Sequence, residues 1–160
     1  MRTNNGKVKN TIVSIYFVLI VLAMIMATVF KSFRNISDNS TINVIIIAFG
    51  FAFLFFLVHF ISRYFEYDSD GMKVVITNRG LLLSDQFNYR ERQIEFDKAD
   101  LQGYKFTNYI IYRTLTVYIK DQRGKTLKDS FNITLVSRRK RRYIRQSLSK
   151  IVKHNKNRKD

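Results

Sequence analysis

Cysteine, proline and tryptophan are missing from this 160-residue chain. Without cysteine there is no disulfide framework, no thiolate metal site and no cysteine nucleophile. Histidine is nearly missing too, since only His59 and His154 are present. A histidine-based metal site or a Ser-His-Asp triad therefore has no usable histidine. These absences exclude several common classes of enzyme.

Other catalytic signatures are equally sparse. The six glycines form no phosphate-binding loop, and the carboxylates are scattered along the chain. We therefore predict no catalytic residue, no metal site and no cofactor, and a protein that is not an enzyme. An acid–base enzyme built on Asp, Glu or Tyr remains an open alternative at this point.

Acidic residues are few: 12 Asp and Glu face 28 Lys and Arg, which gives a formal net charge of +16. Most of the excess follows residue 61, where residues 62–160 carry 23 basic and 11 acidic side chains. A charge of this size favours anionic partners. Lipid head groups, nucleic acid and acidic proteins all qualify.

Two long apolar runs dominate the first third of the chain, residues 12–30 and 42–61. At a rise of ~1.5 Å per residue, each run spans about 30 Å as a helix, which is the thickness of a bilayer core. We expect both to be transmembrane helices. A cleaved signal peptide is a weaker explanation of the first run, because its apolar stretch exceeds the usual length of about 7–15 residues.

Basic residues flank these runs and predict their orientation. The N-terminal tail, residues 1–11, carries three basic residues, and a strongly basic segment follows the second run. By the positive-inside rule both ends should be cytoplasmic, with residues 31–41 as a short external loop.

From residue 62 the pattern changes to short strands separated by turns. Seven strands are predicted, and the clearest is 114–120, where Leu115, Val117 and Ile119 alternate with polar residues. Their short connections favour antiparallel pairing. The predicted strands cover residues 64–68, 73–77, 81–86, 90–96, 101–108, 114–120 and 125–133.

A helix is predicted to close the chain, with Ser137 as its N-cap. Ile144, Leu148, Ile151 and Val152 form one apolar stripe at helical spacing. The predicted domain covers residues 62–154, followed by a polar tail, 155–160.

The order of elements, with the runs Phe65-Glu66-Tyr67-Asp68 and Phe131-Asn132-Ile133-Thr134, resembles small bacterial membrane proteins that carry a pleckstrin-homology-like (PH-like) domain. The expected fold is an α+β membrane protein: an N-terminal transmembrane helical hairpin, then an antiparallel PH-like sandwich or barrel capped by a C-terminal helix. The resemblance implies a scaffold or interaction role at the bacterial inner (plasma) membrane.

One basic cluster is the candidate site for an anion or an anionic lipid. Juxtamembrane basic residues each gain about 1 kcal/mol near an acidic leaflet. The alternative is a solvated helix face without a ligand. The cluster consists of Arg138, Arg139, Lys140, Arg141, Arg142 and Arg145.

The sequence thus predicts a membrane-anchored binding or scaffold protein whose basic domain contacts anionic lipid head groups or an acidic protein partner. A homo-oligomer is a further open arrangement. The alternative function is a membrane-tethered nucleic-acid binder, although no RNA or DNA motif is present. A third possible function is that of a small enzyme or a transporter accessory protein whose site forms only with a partner. The tyrosines and Phe106 in residues 104–118 either line a ligand groove or belong to the sheet core and its rim.

Overall fold

The computed structural model describes residues 1–29, 40–81, 92–121 and 123–158, and the chain divides into two compact units. One unit, Lys7–Ser62, is called the helix pair below. The other joins Met1–Gly6 to Arg63–Asp160 and is called the β domain. Within the described residues the fold class is α+β, with three α-helices and two antiparallel sheets.

The helix pair consists of α1 (Val8–Val29) and α2 (Ser40–Ile61), each of 22 residues. Both helices are long and apolar enough to cross a membrane. They pack together where the rings of Tyr16 and Phe55 stack, with centroids 5.6 Å apart. Residues 30–39, which include most of the predicted external loop, lie outside the described residues. Large apolar side chains are exposed along both helices, among them Phe17, Met24, Phe49 and Phe56.

The first sheet has four strands in the order β1-β2-β3-β4, all antiparallel. They are β1 (Arg2–Asn4), β2 (Arg63–Asp68), β3 (Lys73–Gly80) and β4 (Arg92–Asp97). The sequence pattern does not predict β1, because three polar residues carry no strand pattern of their own. The predicted strand 81–86 falls outside the described residues, apart from Leu81.

Asn5 holds β1 against the start of β2, and it is almost completely buried. Its side-chain amide donates to the carbonyl of Arg63 at 2.9 Å, and its Oδ1 accepts from the amide of Phe65 at 2.8 Å. Buried polar groups need partners of this kind. The N-terminal residues are therefore an integral part of the β domain.

The second sheet has three strands in the order β5-β6-β7. They are β5 (Leu101–Asn108), β6 (Arg113–Lys120) and β7 (Thr126–Asn132). The predicted alternation in β6 is confirmed, because Leu115, Val117 and Ile119 are buried. The β6–β7 turn places Gly124 at a φ of +79°, a conformation that favours glycine.

The described strands form two separate antiparallel sheets, so of the expected sandwich or barrel no closed barrel occurs among them. A single 3₁₀ turn, Lys98–Asp100, carries the chain from β4 to β5 and so from one sheet to the other. Within the described residues no pairing joins β4 to β5 or β1 to β7.

The last helix, α3 (Arg138–Asn157), begins at its predicted cap, where the side chain of Ser137 accepts from the amide of Lys140. It continues past His154, where the sequence placed its end. The reason is Asn155, whose side-chain amide donates to the carbonyls of Lys98 and Leu101.

Both sheets and α3 share one hydrophobic core. The predicted stripe on α3 is confirmed, because Ile144 and Leu148 are fully buried and Ile151 and Val152 pack against the same core. A hydrogen bond of 2.9 Å between the hydroxyls of Tyr67 and Ser147 also joins α3 to β2. This packing determines which face of α3 points away from the core. The core consists of Phe65, Tyr67, Val74, Ile76, Phe96, Leu101, Leu115, Val117, Ile119, Phe131, Ile133, Val136, Ile144 and Leu148.

Candidate anion-binding site

The start of α3 is the most basic segment of the chain, with five consecutive basic residues at 138–142. Residues at positions i, i+3, i+4 and i+7 of a helix share one face. From Arg138 that face carries Arg141, Arg142 and Arg145. The helical repeat therefore places four members of the basic cluster on one face and directs the other two to different sides of the helix.

These four arginines line a pocket of about 460 Å³. The opposite wall comes from β5 and β6, which contribute Phe106, Asn108 and Arg113. Five guanidinium groups from two elements thus border one concavity, which is called the arginine pocket below.

Hydrogen bonds at the end of β7 explain why Arg113 lies beside α3. The amide of Ile133 donates to the carbonyl of Arg113 at 2.9 Å. The amide of Arg113 donates to Oγ1 of Thr134, also at 2.9 Å. Since α3 begins at Arg138, only a short bend separates these bonds from the helix. The start of α3 is therefore held against the start of β6.

Arg141 is a partly buried cation of the pocket. Its Nε atom is buried and has no hydrogen-bond partner among the described residues. Burial, followed by repulsion from Arg113, Arg138 and Arg145, lowers the pKa of Arg141 below its ordinary value. A buried donor without a partner costs about 1–3 kcal/mol. An anion in the pocket would screen the repulsion among these guanidinium groups.

No carboxylate neutralises the arginine pocket within the described part of the chain. The ion pairs found there join other residues, such as Lys73 to Glu95 and Arg92 to Asp129. The guanidinium of Arg145 lies 5.0 Å from the ring centroid of Phe106. Among the described residues the pocket is therefore a concentrated positive site without a counter-charge.

The helix dipole adds to this positive potential. The N-terminus of a helix carries a partial positive charge, so basic residues in the first turn are unfavourable and acidic ones are favourable. The first turn of α3 contains no acidic residue. The charge distribution at this end of α3 suits a bound anion.

Two members of the predicted basic cluster lie outside the pocket. Nε of Arg139 donates to the hydroxyl of Tyr143 at 3.0 Å, and this bond raises the pKa of Arg139. Nζ of Lys140 donates to the carbonyl of Asn4, which ties α3 to the N-terminal strand. The structure thus brings together four of the six predicted residues: Arg138, Arg141, Arg142 and Arg145.

Sequence reasoning missed Arg113, Asn108 and Phe106 as members of the site. Arg113 is separated from Arg138 by 24 residues, and no periodicity within one element connects them. The predicted antiparallel pairing of β6 with β7 could have indicated this contact. It places the end of β7, and so the residues just before α3, beside Arg113 at the start of β6. The aromatic residues of 104–118 were predicted to line a ligand groove or to belong to the sheet core and its rim. Phe106 does both, because it packs on the core and lines the pocket.

No group of three or more His, Asp and Glu side chains that could hold a metal ion occurs among the described residues. The carboxylates in the turn after β2 serve the turn itself: the amide of Asp70 donates to Oδ1 of Asp68 at 2.9 Å. Short polar side chains commonly form such bonds in turns.

Comparison with protein-family models, with curated proteins and with solved structures finds no match to this chain.

Proposed function

We propose that this chain is a membrane-anchored binding protein in which the arginine pocket holds the phosphate of an anionic lipid head group. The observation that carries the proposal is the convergence of five guanidinium groups on one pocket without a neutralising carboxylate among the described residues. Guanidinium groups suit phosphate oxygens because their fork of donors binds two oxygens at once. The role is binding, without chemistry.

The helix pair supplies the anchor in this proposal. Each 22-residue helix is about 33 Å long at ~1.5 Å per residue, enough to cross a hydrocarbon core. A core helix of a soluble protein would bury its apolar side chains, but those of α1 and α2 are largely exposed. Exposed apolar surface of this extent favours lipid as the surrounding solvent.

The pairing of β1 with β2 supports a two-span topology. The chain leaves the β domain after Gly6 and returns at Arg63, and both ends belong to one sheet. Two crossings of the bilayer meet this requirement, and a single crossing does not. The positive-inside rule supports cytoplasmic termini for this topology. The resemblance to small bacterial membrane proteins supports the inner membrane of a bacterium as the location.

A PH-like fold for the β domain is part of the same proposal. Two antiparallel sheets share a core, and a C-terminal helix covers it with Ile144 and Leu148. The resemblance noted from the element order supports this assignment. It would place the pocket at the N-terminal end of the closing helix.

The shape of the site favours a head group over nucleic acid. Proteins that bind single-stranded nucleic acid combine a basic groove with aromatic platforms for several bases. The arginine pocket is one compact concavity of about 460 Å³ with a single aromatic wall, Phe106. A pocket of this size fits one phosphorylated group.

The test is the thermal unfolding of the full chain in detergent, with and without inorganic phosphate. A ligand that binds only the folded state raises the unfolding temperature. The double variant Arg141→Gln/Arg145→Gln should lose most of this rise. Each hydrogen bond to a charged group contributes roughly 1.5–3 kcal/mol, so its loss weakens binding at least about tenfold.

Arg139→Gln/Lys150→Gln is the matched control, because it removes the same number of charges from the same helix outside the pocket. It should keep the phosphate effect. Phosphatidylglycerol in phosphatidylcholine nanodiscs should act in the same way as phosphate on all three proteins. If both variants lost the rise in unfolding temperature to the same extent, the effect would depend only on overall charge. That result would refute the pocket as the site.

A further inference from the structure

The connection between β5 and β6 exposes large apolar side chains to the solvent. This four-residue segment, Tyr109–Tyr112, is called the tip below. Ile110 is 104% exposed and Ile111 is 54% exposed. No other large apolar side chain among the described residues is as exposed as Ile110. The tip therefore presents two β-branched aliphatic side chains directly to the solvent.

The tip has an ordered geometry. The amide of Tyr109 donates to the carbonyl of Tyr112 at 2.9 Å, and their rings stack with centroids 4.5 Å apart. Turns are dominated by Gly, Pro, Asn, Asp and Ser, and the tip contains none of these. Turn chemistry alone thus gives no reason for isoleucine at both central positions. Such local conflicts are expected at functional sites.

The tip adjoins the arginine pocket. Asn108 immediately precedes it and Arg113 immediately follows it, and both residues line the pocket. One end of the β5–β6 hairpin therefore presents aliphatic side chains beside a concentrated positive charge. In the sequence, Tyr109 and Tyr112 separate the two isoleucines from these pocket residues.

An anionic bilayer surface complements all three chemistries. Aliphatic side chains enter the acyl region, tyrosines favour the head-group level, and basic residues are attracted to acidic lipid phosphates. Nucleic acid or an acidic peptide would pair with the arginines but leave Ile110 and Ile111 in water. Bilayer contact is therefore the arrangement that these residues favour.

We infer that the tip enters the interface of an anionic bilayer while the neighbouring arginine pocket holds a lipid phosphate. The inference rests on the proposed function and extends it from an isolated anion to a head group in its membrane. Pocket and tip act together: the phosphate positions the hairpin end, and Ile110 and Ile111 anchor it in the lipid.

The absence of tryptophan permits a direct test. Ile110→Trp places a single tryptophan at the tip of the full chain. The chain is reconstituted in phosphatidylcholine nanodiscs with or without phosphatidylglycerol, with bromine on the acyl chains as the quencher. With phosphatidylglycerol we expect a shift of the emission to shorter wavelength and loss of intensity by quenching.

Met72→Trp is the matched control, since Met72 is another highly exposed apolar residue in a turn of the β domain. Its emission should remain that of a tryptophan in water. Placing the brominated lipid in the nanodisc or in separate vesicles identifies which bilayer the tip enters, and quenching in either arrangement supports insertion. Equal quenching at both tryptophan positions would refute a specific role for the tip.

Two outcomes separate this inference from the proposed function. If Ile110→Trp is not quenched but inorganic phosphate still raises the unfolding temperature, the pocket binds anions and the tip does not enter lipid. If quenching persists unchanged when Arg141→Gln and Arg145→Gln are added, insertion does not depend on the pocket and the coupled arrangement is wrong. An Ile110→Trp chain that keeps full phosphate stabilisation would exclude misfolding of the pocket as the cause of absent quenching.

Discussion

Neighbouring residues of one basic run have different surroundings in the folded chain. Arg141 lies partly buried among other arginines, whereas Arg139 is exposed and bonded to Tyr143. The difference comes from the helical repeat, because residues two positions apart point to different sides of a helix. A basic run in the sequence therefore does not act as one site.

At the same scale, Glu66 of β2 accepts one bond from the N-terminal strand and one from its own strand. Its carboxylate accepts from Nε of Arg2 at 2.6 Å and from the hydroxyl of Tyr64 at 2.8 Å. Burial alone would raise the pKa of Glu66, but these bonds and the charge of Arg2 outweigh it and lower the pKa. Burial, followed by the bond to Glu66, raises the pKa of Tyr64 to about 12.

The lowered pKa of Glu66 predicts how stability depends on pH. The ionised carboxylate stabilises the folded state fully above 4.5, the ordinary pKa of glutamate, and this contribution is lost as the pH falls through the lowered folded value. Glu66→Gln should be less stable than the parent chain at neutral pH by up to about 1 kcal/mol, the usual limit for an accessible pair. The difference should shrink in acid.

Unfolding temperatures measured at neutral and acidic pH check this prediction. Tyrosine circular dichroism is a suitable signal, because eight of the nine tyrosines follow residue 61. Arg2→Gln, which removes one of the two donors, should have an intermediate effect. A difference between parent and Glu66→Gln that stays constant with pH would contradict the assigned role of the carboxylate.

At the scale of the element, α3 has two faces with different tasks. One face places Ile144 and Leu148 in the core, and the other supplies four arginines to the pocket. The bonds of Asn155 and Ser147 limit how the helix can rotate or slide. Core packing thus determines where the arginines lie.

Leu148→Ala should therefore affect both stability and binding. Replacing a fully buried leucine by alanine costs about 2–5 kcal/mol, depending on how far the cavity collapses. Leu127→Ala is the matched control, because Leu127 lies on β7 and is half exposed; surface changes stay within about 0.5 kcal/mol. Denaturant unfolding of the detergent-solubilised chain measures the stability of each variant, and the rise in unfolding temperature with phosphate measures binding. Equal losses of stability in the two variants would contradict the position of Leu148 in the core.

At the scale of the whole molecule, the β domain is discontinuous in sequence. The helix pair is inserted between β1 and β2, which are neighbours in one sheet. A chain cut at residue 62 would keep the basic helix and most of the core. It would lose β1 and the three hydrogen bonds that Asn5 makes with Arg63 and Phe65.

Residues 63–158 expressed alone should consequently be less stable than a chain in which residues 1–6 are joined to residue 63 by a short Gly/Ser linker. The expected loss is at least about 1 kcal/mol, since each hydrogen bond contributes roughly 0.5–1.5 kcal/mol. Chemical denaturation of the two soluble chains gives the comparison. Asn5→Ala in the linked chain should lie between them, and identical stabilities would mean that β1 is not an integral strand.

The sequence alone determined the features that depend on local pattern. The two long apolar helices, the alternation in β6, the cap at Ser137 and the apolar stripe of α3 follow from the spacing of neighbouring residues. The basic run at 138–142 also belongs here, because charge is visible without a fold. These features need no distant partner to be recognised.

Only the tertiary structure decided the features that join distant parts of the chain. The strand β1 exists because β2 offers it an unpaired edge, and Arg113 reaches the pocket because β7 returns the chain to its level. The division into two sheets likewise depends on which strands meet. Contacts between residues far apart in sequence leave no periodic signal, so the basic run was predictable and the pocket that it forms with β6 was not.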